Sequence, residues 1–106
     1  MEKYINMNCF DNYQLQEIER GLEQSVDVEL YAKPEFNNLQ MHEIRKGLES
    51  NIDVTIYAKS CFEDSQMAEI RKGLESGIDV TSYAKSELTR YEMSQIRRQL
   101  QNGGEL

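Results

Sequence analysis

The chain has 106 residues, with 12 lysines and arginines against 19 aspartates and glutamates, one histidine, two cysteines and one proline. That length fits a single domain and excludes a multidomain enzyme. The 39% of hydrophobic residues can supply a core, yet no apolar run approaches the ~18 residues of a membrane span. A formal charge of −7 argues against wrapping by a phosphate backbone, which draws most of its affinity from clustered Lys and Arg. No basic segment followed by an apolar stretch and a cleavage site opens the chain, so the expectation is a soluble, cytoplasmic protein without membrane contact.

From the amino terminus onward the chain repeats itself. Residues 41–50 align with 67–76 at an offset of 26 residues, and the same step leads back to 15–24 and forward to 93–102. Matched columns include Leu15/Met41/Met67/Met93, Ile18/Ile44/Ile70/Ile96, Leu22/Leu48/Leu74/Leu100, Asp27/Asp53/Asp79 and Tyr-Ala-Lys at 31–33, 57–59 and 83–85. Within one unit Met67, Ile70 and Leu74 stand at i, i+3 and i+7, which predicts an amphipathic helix A. Asp64 and Ser65 are N-cap candidates before it. Ser25, Asn51, Gly77 and Gly103 follow it, types that tolerate a left-handed turn. Next, Asp79 precedes Val80, Tyr83 and Ala84 at i, i+3 and i+4, which predicts a shorter helix B. Pro34 or Ser60, with Phe36, Phe62 or Leu88 behind it, ends helix B and plugs the turn.

A hairpin of this kind cannot bury its stripe alone, so the expected fold is all-α: a short α-solenoid of about four stacked helical-hairpin repeats. One domain spans 1–106, with 1–14 as an N-terminal cap or half-repeat, full repeats at 15–40, 41–66 and 67–92, and a capping half-repeat at 93–106. The Ile, Leu and Tyr columns form its core. Gly21/Gly47/Gly73 would mark places where neighbouring backbone leaves no room for a side chain. In the caps, Ile5 stands in the Tyr column and Phe10 in the Phe column, and Asn102-Gly103-Gly104 closes the last helix, where Gln95, Gln99 and Gln101 replace inner-repeat features.

No catalytic, cofactor or metal chemistry emerges. Cys9 and Cys61 lie two repeat steps apart, too far for a disulfide, and are expected to be free thiols in a reducing compartment. His42 has Gln16, Ala68 and Ser94 in its column and is expected at the surface. Phosphate loops, nucleophile elbows and metal-ligand clusters are missing, so an enzyme with a small-molecule substrate is not expected. Charge instead runs along the chain: −4 over 15–40, −2 over 41–66, −1 over 67–92 and +1 over 93–106. Arg45/Glu49 and Arg71/Glu75 are helix-stabilising i, i+4 pairs, whereas Glu19 takes the Arg column and faces Glu23. That break points to an acidic partner-binding patch of Glu19, Glu23, Glu29, Glu35 and Glu43. Arg71, Lys72, Arg90, Arg97 and Arg98, with Tyr91 among them, suit an acidic protein face better than nucleic acid in so acidic a chain.

The unit Gln66-Met-Ala-Glu-Ile-Arg-Lys-Gly-Leu-Glu-Ser-Gly-Ile-Asp-Val80, followed by Tyr83-Ala84-Lys85, resembles a short helical repeat of mobile-element and phage proteins of Gram-positive bacteria. The resemblance covers residues 12–103 and departs at Glu19, Gln99 and the shortened last unit. It implies a genomic setting and an interaction module, with no catalytic residue to carry over. In size and charge the chain is also similar to phage-encoded inhibitors of bacterial defence, anti-CRISPR proteins among them. That similarity implies an alternative role, blocking the basic nucleic-acid channel of a defence nuclease with an acidic surface. The leading expectation is a non-enzymatic protein-binding module, monomeric or weakly homo-oligomeric, that contacts a partner through exposed helix A columns or the concave face.

Overall fold

In a computed structural model of the chain, residues 7–103 are described; Ile5 and Gly104 of the expected caps lie outside them. The described residues are all-helical, with four α-helices: α1 Asn12–Glu23, α2 Asn38–Glu49, α3 Asp64–Glu75 and α4 Arg90–Gln101. Each has 12 residues and starts 26 after the last, as the repeat predicts. Local chemistry explains both ends. Asp11, Asn37 and Thr89 accept the N–H three residues on, while Gln14, Gln40, Gln66 and Glu92 reach back to the N-cap N–H at 2.8–2.9 Å. In α3 the N-cap is Glu63, one residue before the expected Asp64.

At the other end Ser25 and Asn51 take φ of 61° and 62°, and Gly77 takes 78°, the left-handed turn foreseen at these positions. Val26, Ile52 and Ile78 then donate their N–H to Gly21, Gly47 and Gly73, closing the same C-terminal motif three times. Consecutive α-helices pack side by side in chain order, in a body 47 × 25 × 16 Å across. None of the described helices is long and apolar enough to cross a membrane.

The expected helix B is corrected. Val28–Leu30 and Val54–Ile56 form single 3-10 turns, and residues 81–83 make a plain turn with the same bonds from Tyr83 and Ala84 to the Val80 carbonyl. Distance decides this. A 12-residue helix climbs about 18 Å, and the remaining 14 residues must return that far with two reversals. A 3-10 turn rises about 2.0 Å per residue against about 1.5 Å for an α-helix, and the return is made of such single turns, tight turns and short irregular links. The Asp expected to cap helix B does cap the shorter turn that replaces it: Asp27 and Asp53 are the N-caps of the two 3-10 turns. Asp27, Asp53 and Asp79 accept the N–H two residues on at 3.2, 3.1 and 3.0 Å. Hydrogen bonds from Thr55, and from the Thr81 N–H and hydroxyl, hold the Asp53 and Asp79 carboxyls below the usual range.

Ile18, Ile44, Ile70, Met41, Met67, Met93 and the three repeat tyrosines are fully buried, and Phe36 and Phe62 plug the turns. The Leu22/Leu48/Leu74/Leu100 column and Ile96 are only half-buried against this core. The glycine column has a different cause from the one expected: side chains, not backbone, fill the space. A Cβ on Gly47 would overlap Tyr57 Oη and come within 2.7 Å of Val54 Cγ1, and Gly21 and Gly73 meet Tyr31 and Tyr83 in the same way. The absent side chain lets Tyr31, Tyr57 and Tyr83 donate to the helical carbonyls of Glu17, Glu43 and Glu69 at 2.5, 2.6 and 2.8 Å.

Gly47→Ala, which normally gains ~1 kcal/mol in a helix, should here cost about 1–3 kcal/mol in urea unfolding, and less when combined with Tyr57→Phe. Burial holds the three phenols well above their ordinary value of about 10. A raised folded pKa means full stability below about pH 10 and loss as pH climbs toward that folded value. Circular dichroism during alkaline titration should therefore show cooperative unfolding that begins only above about pH 10.

Candidate functional site

Between layers runs a polar ladder. Gln14 Nε2 donates to the Phe36 carbonyl, Gln40 to Phe62 and Gln66 to Leu88, each at 2.7 Å, so one amide caps its own helix and pins the loop entering the next. Only an amide can do both, since a carboxylate has no N–H to give. One step further in, Arg45 Nε meets Glu17 Oε1 at 2.8 Å, Arg71 meets Glu43 at 2.9 Å and Arg97 meets Glu69 at 2.8 Å. Each arginine turns its other nitrogens to its own helix: Arg45 to Glu49, Arg71 to Glu75 and Arg97 to Gln101. Burial disfavours charge on Glu75, but the Ser50 hydroxyl and Arg71 outweigh it and hold the carboxyl below its usual range.

Of the five expected contact residues, Glu19 and Glu23 are exposed on one side of α1, Glu29 is exposed in the Val28–Leu30 turn, and Glu35 is exposed in the loop before α2. Glu43 is half-buried and held by Arg71, inside the stack. Glu19 occupies the column whose arginines reach back to the preceding α-helix, and among the described residues α1 has none before it. Of the basic group, Arg71 and Arg97 belong to the ladder, while Lys72, Arg90 and Arg98 remain exposed. His42 is half-buried and joins the ladder: its Nδ1 lies 3.0 Å from Arg45 Nη2 and 3.6 Å from Glu17 Oε2. Cys9 and Cys61 are free and exposed. Among the described residues no group of three or more His, Cys, Asp or Glu is arranged to hold a metal ion.

Two surface features escaped the sequence reading. Among the described residues the large hydrophobic side chains that stand exposed are Tyr13, Leu39 and Tyr91, all from one column. A groove of 620 Å³ opens between the starts of α3 and α4, lined by Cys61, Ser65, Gln66, Leu88, Thr89 and Tyr91 among others. Spacing singles out neither Tyr13 nor Leu39, makes Ser65 an N-cap candidate and sets Tyr91 among the cations of a partner-facing surface, so the column 13/39/65/91 does not stand out as one line. Protein-family models, curated proteins and solved structures contain no match to this chain.

Removing one side of a buried pair leaves a stranded charge. Arg45→Met should cost about 3 kcal/mol in urea unfolding. The double variant Glu17→Leu/Arg45→Met should recover most of it, and additive losses would mean that the pair does not couple the layers.

Proposed function

We propose that this chain is a non-enzymatic protein-binding module that presents repeated side chains on a rigid helical stack. The observation that carries this reading is the single line of exposed large hydrophobics, Tyr13 at 66%, Leu39 at 54% and Tyr91 at 70%. Isolated surface apolar groups are ordinary, but three from one repeat column serve no packing need and suit a contact. Two exposed free thiols favour a reducing, cytoplasmic setting. The resemblance to mobile-element and phage repeats favours a bacterial protein partner. The exposed Glu19, Glu23, Glu29 and Glu35 support a second reading, an acidic inhibitor of a defence nuclease.

Capture on the immobilised chain tests both readings, followed by calorimetry with each purified candidate. The natural chain should retain a partner that Tyr13→Ser/Leu39→Ser/Tyr91→Ser loses. A nuclease lost only on Glu19→Lys/Glu29→Lys/Glu35→Lys would favour the inhibitor. No stoichiometric partner for any version would refute protein binding.

A further inference from the structure

The second residue of α1, α2, α3 and α4 is Tyr13, Leu39, Ser65 and Tyr91. Seven residues on, the same helices carry Arg20, Lys46, Lys72 and Arg98, an exposed cation in every layer of a chain whose net charge is −7. Positions seven apart lie on one side of a helix, two turns or about 10 Å along it. Between them stand Gln16, His42, Ala68 and Ser94. The stack therefore displays an apolar line and a basic line side by side across four helices.

The cations are only partly neutralised from within. Glu17 and Glu69 lie 3.1 Å from Arg20 and 3.7 Å from Lys72, but each is already held by an arginine of the next layer at 2.8 Å. Lys46 lies near enough to Glu75 to stabilise its carboxylate, yet Glu75 is bonded to Arg71 and Ser50. Lys46 and Arg98 form no salt bridge within 4.0 Å among the described residues. At the end of the apolar line the Arg90 guanidinium lies 4.8 Å over the Tyr91 ring, adding a cation beside it. Where Ser65 interrupts that line, the 620 Å³ groove opens, with room for a large side chain from outside. The groove also carries Glu63 and Glu87, so an incoming carboxylate belongs on the basic line and an apolar group in the groove.

We propose that this side of the stack is a docking track for an extended acidic segment of a partner protein, laid across the helices, with a large apolar side chain about every third residue. The proposal rests on the protein-binding reading and names its surface and partner chemistry. Spacing sets the motif. Packed helices lie about 8–10 Å apart, and three residues of polyproline-like chain advance about 9 Å, so one residue in three meets each layer. Charge complementarity sets the acidic character. A nucleic acid fits less well, because its unbroken phosphate charge would lie beside Glu49 and Glu75 as well as the cations.

The probe is a fluorescein-labelled peptide of four Leu-Asp-Glu triplets, read by anisotropy at low salt. It is set against a peptide of the same composition with its leucines grouped at one end, and against single-stranded DNA of equal charge. The triplet peptide should bind about tenfold tighter than either, and Lys46→Glu/Arg98→Glu and Tyr13→Ser/Leu39→Ser/Tyr91→Ser should each weaken it about tenfold. Glu29→Lys, in the Val28–Leu30 turn of the return segment, should leave it unchanged, and all variants should keep the native thermal midpoint. No peptide binding at millimolar concentration, equal binding of the grouped peptide, or preference for DNA overturns the proposal. A captured partner that survives Lys46→Glu/Arg98→Glu removes the track and leaves protein binding standing; capture of nothing removes protein binding itself.

Discussion

A tyrosine hydroxyl seated on a helix in place of a glycine side chain governs this architecture. Tyr31, Tyr57 and Tyr83 each reach a mid-helix carbonyl that a methyl group at Gly21, Gly47 or Gly73 would block. The carbonyl has a second lone pair to offer, so the helix gives up nothing. That contact ties the return segment to its own helix, and it fixes where the loop lies on which the next helix begins. The ring brings a large buried apolar surface and the hydroxyl a defined endpoint, so position and cohesion come from one side chain.

Between layers the bonding is polar and directional. Each Gln holds the loop ahead of the next helix, and each Arg reaches back 28 residues to a Glu. Among the described residues every buried side-chain nitrogen or oxygen has a partner. Partly buried ion pairs return little net stability once desolvation is counted, so their contribution here is register: a helix slipped by one position would strand both charges. In α4 the pattern closes. Gln95 stands in the Glu column and Gln99 in the Gly column, and neither an arginine nor a tyrosine from a later layer lies over α4 among the described residues.

Much of this was legible because it is periodic. The 26-residue step, the helix A stripe, the left-handed residues at Ser25, Asn51 and Gly77 and the buried Tyr column all follow from local propensity and spacing. Helix B misled because i, i+3, i+4 spacing over only five residues cannot distinguish an α-turn from a 3-10 turn, and the needed return distance is a property of the whole layer. The ladder was invisible for a related reason. Glu17 and Arg45 lie in different columns of different repeats, so neither alignment within a column nor i, i+4 counting pairs them. Glu43 looked like free surface charge and Glu19 like a broken pattern, when Glu43 is held by the arginine of the next layer and, among the described residues, no earlier α-helix lies against Glu19. Tyr91 was legible as surface beside its cations, whereas Tyr13 and Leu39 passed unnoticed because hydrophobicity alone does not say which side of a first turn faces water.

The fixed 28-residue reach of the ladder makes the layers interchangeable parts. Because Glu43 and Arg71 repeat the roles of Glu17 and Arg45, excising residues 41–66 would bring Arg71 against Glu17, leave Gln14 on the Phe36 carbonyl and bring Gln40 to the Leu88 carbonyl in place of Phe62. Unequal recombination between the coding stretches of the near-identical peptides 41–50 and 67–76 would thus add or drop whole layers with every joint remade. The molecule can change length in quanta, and with it the reach of whatever its surface touches, without any new interface having to be invented.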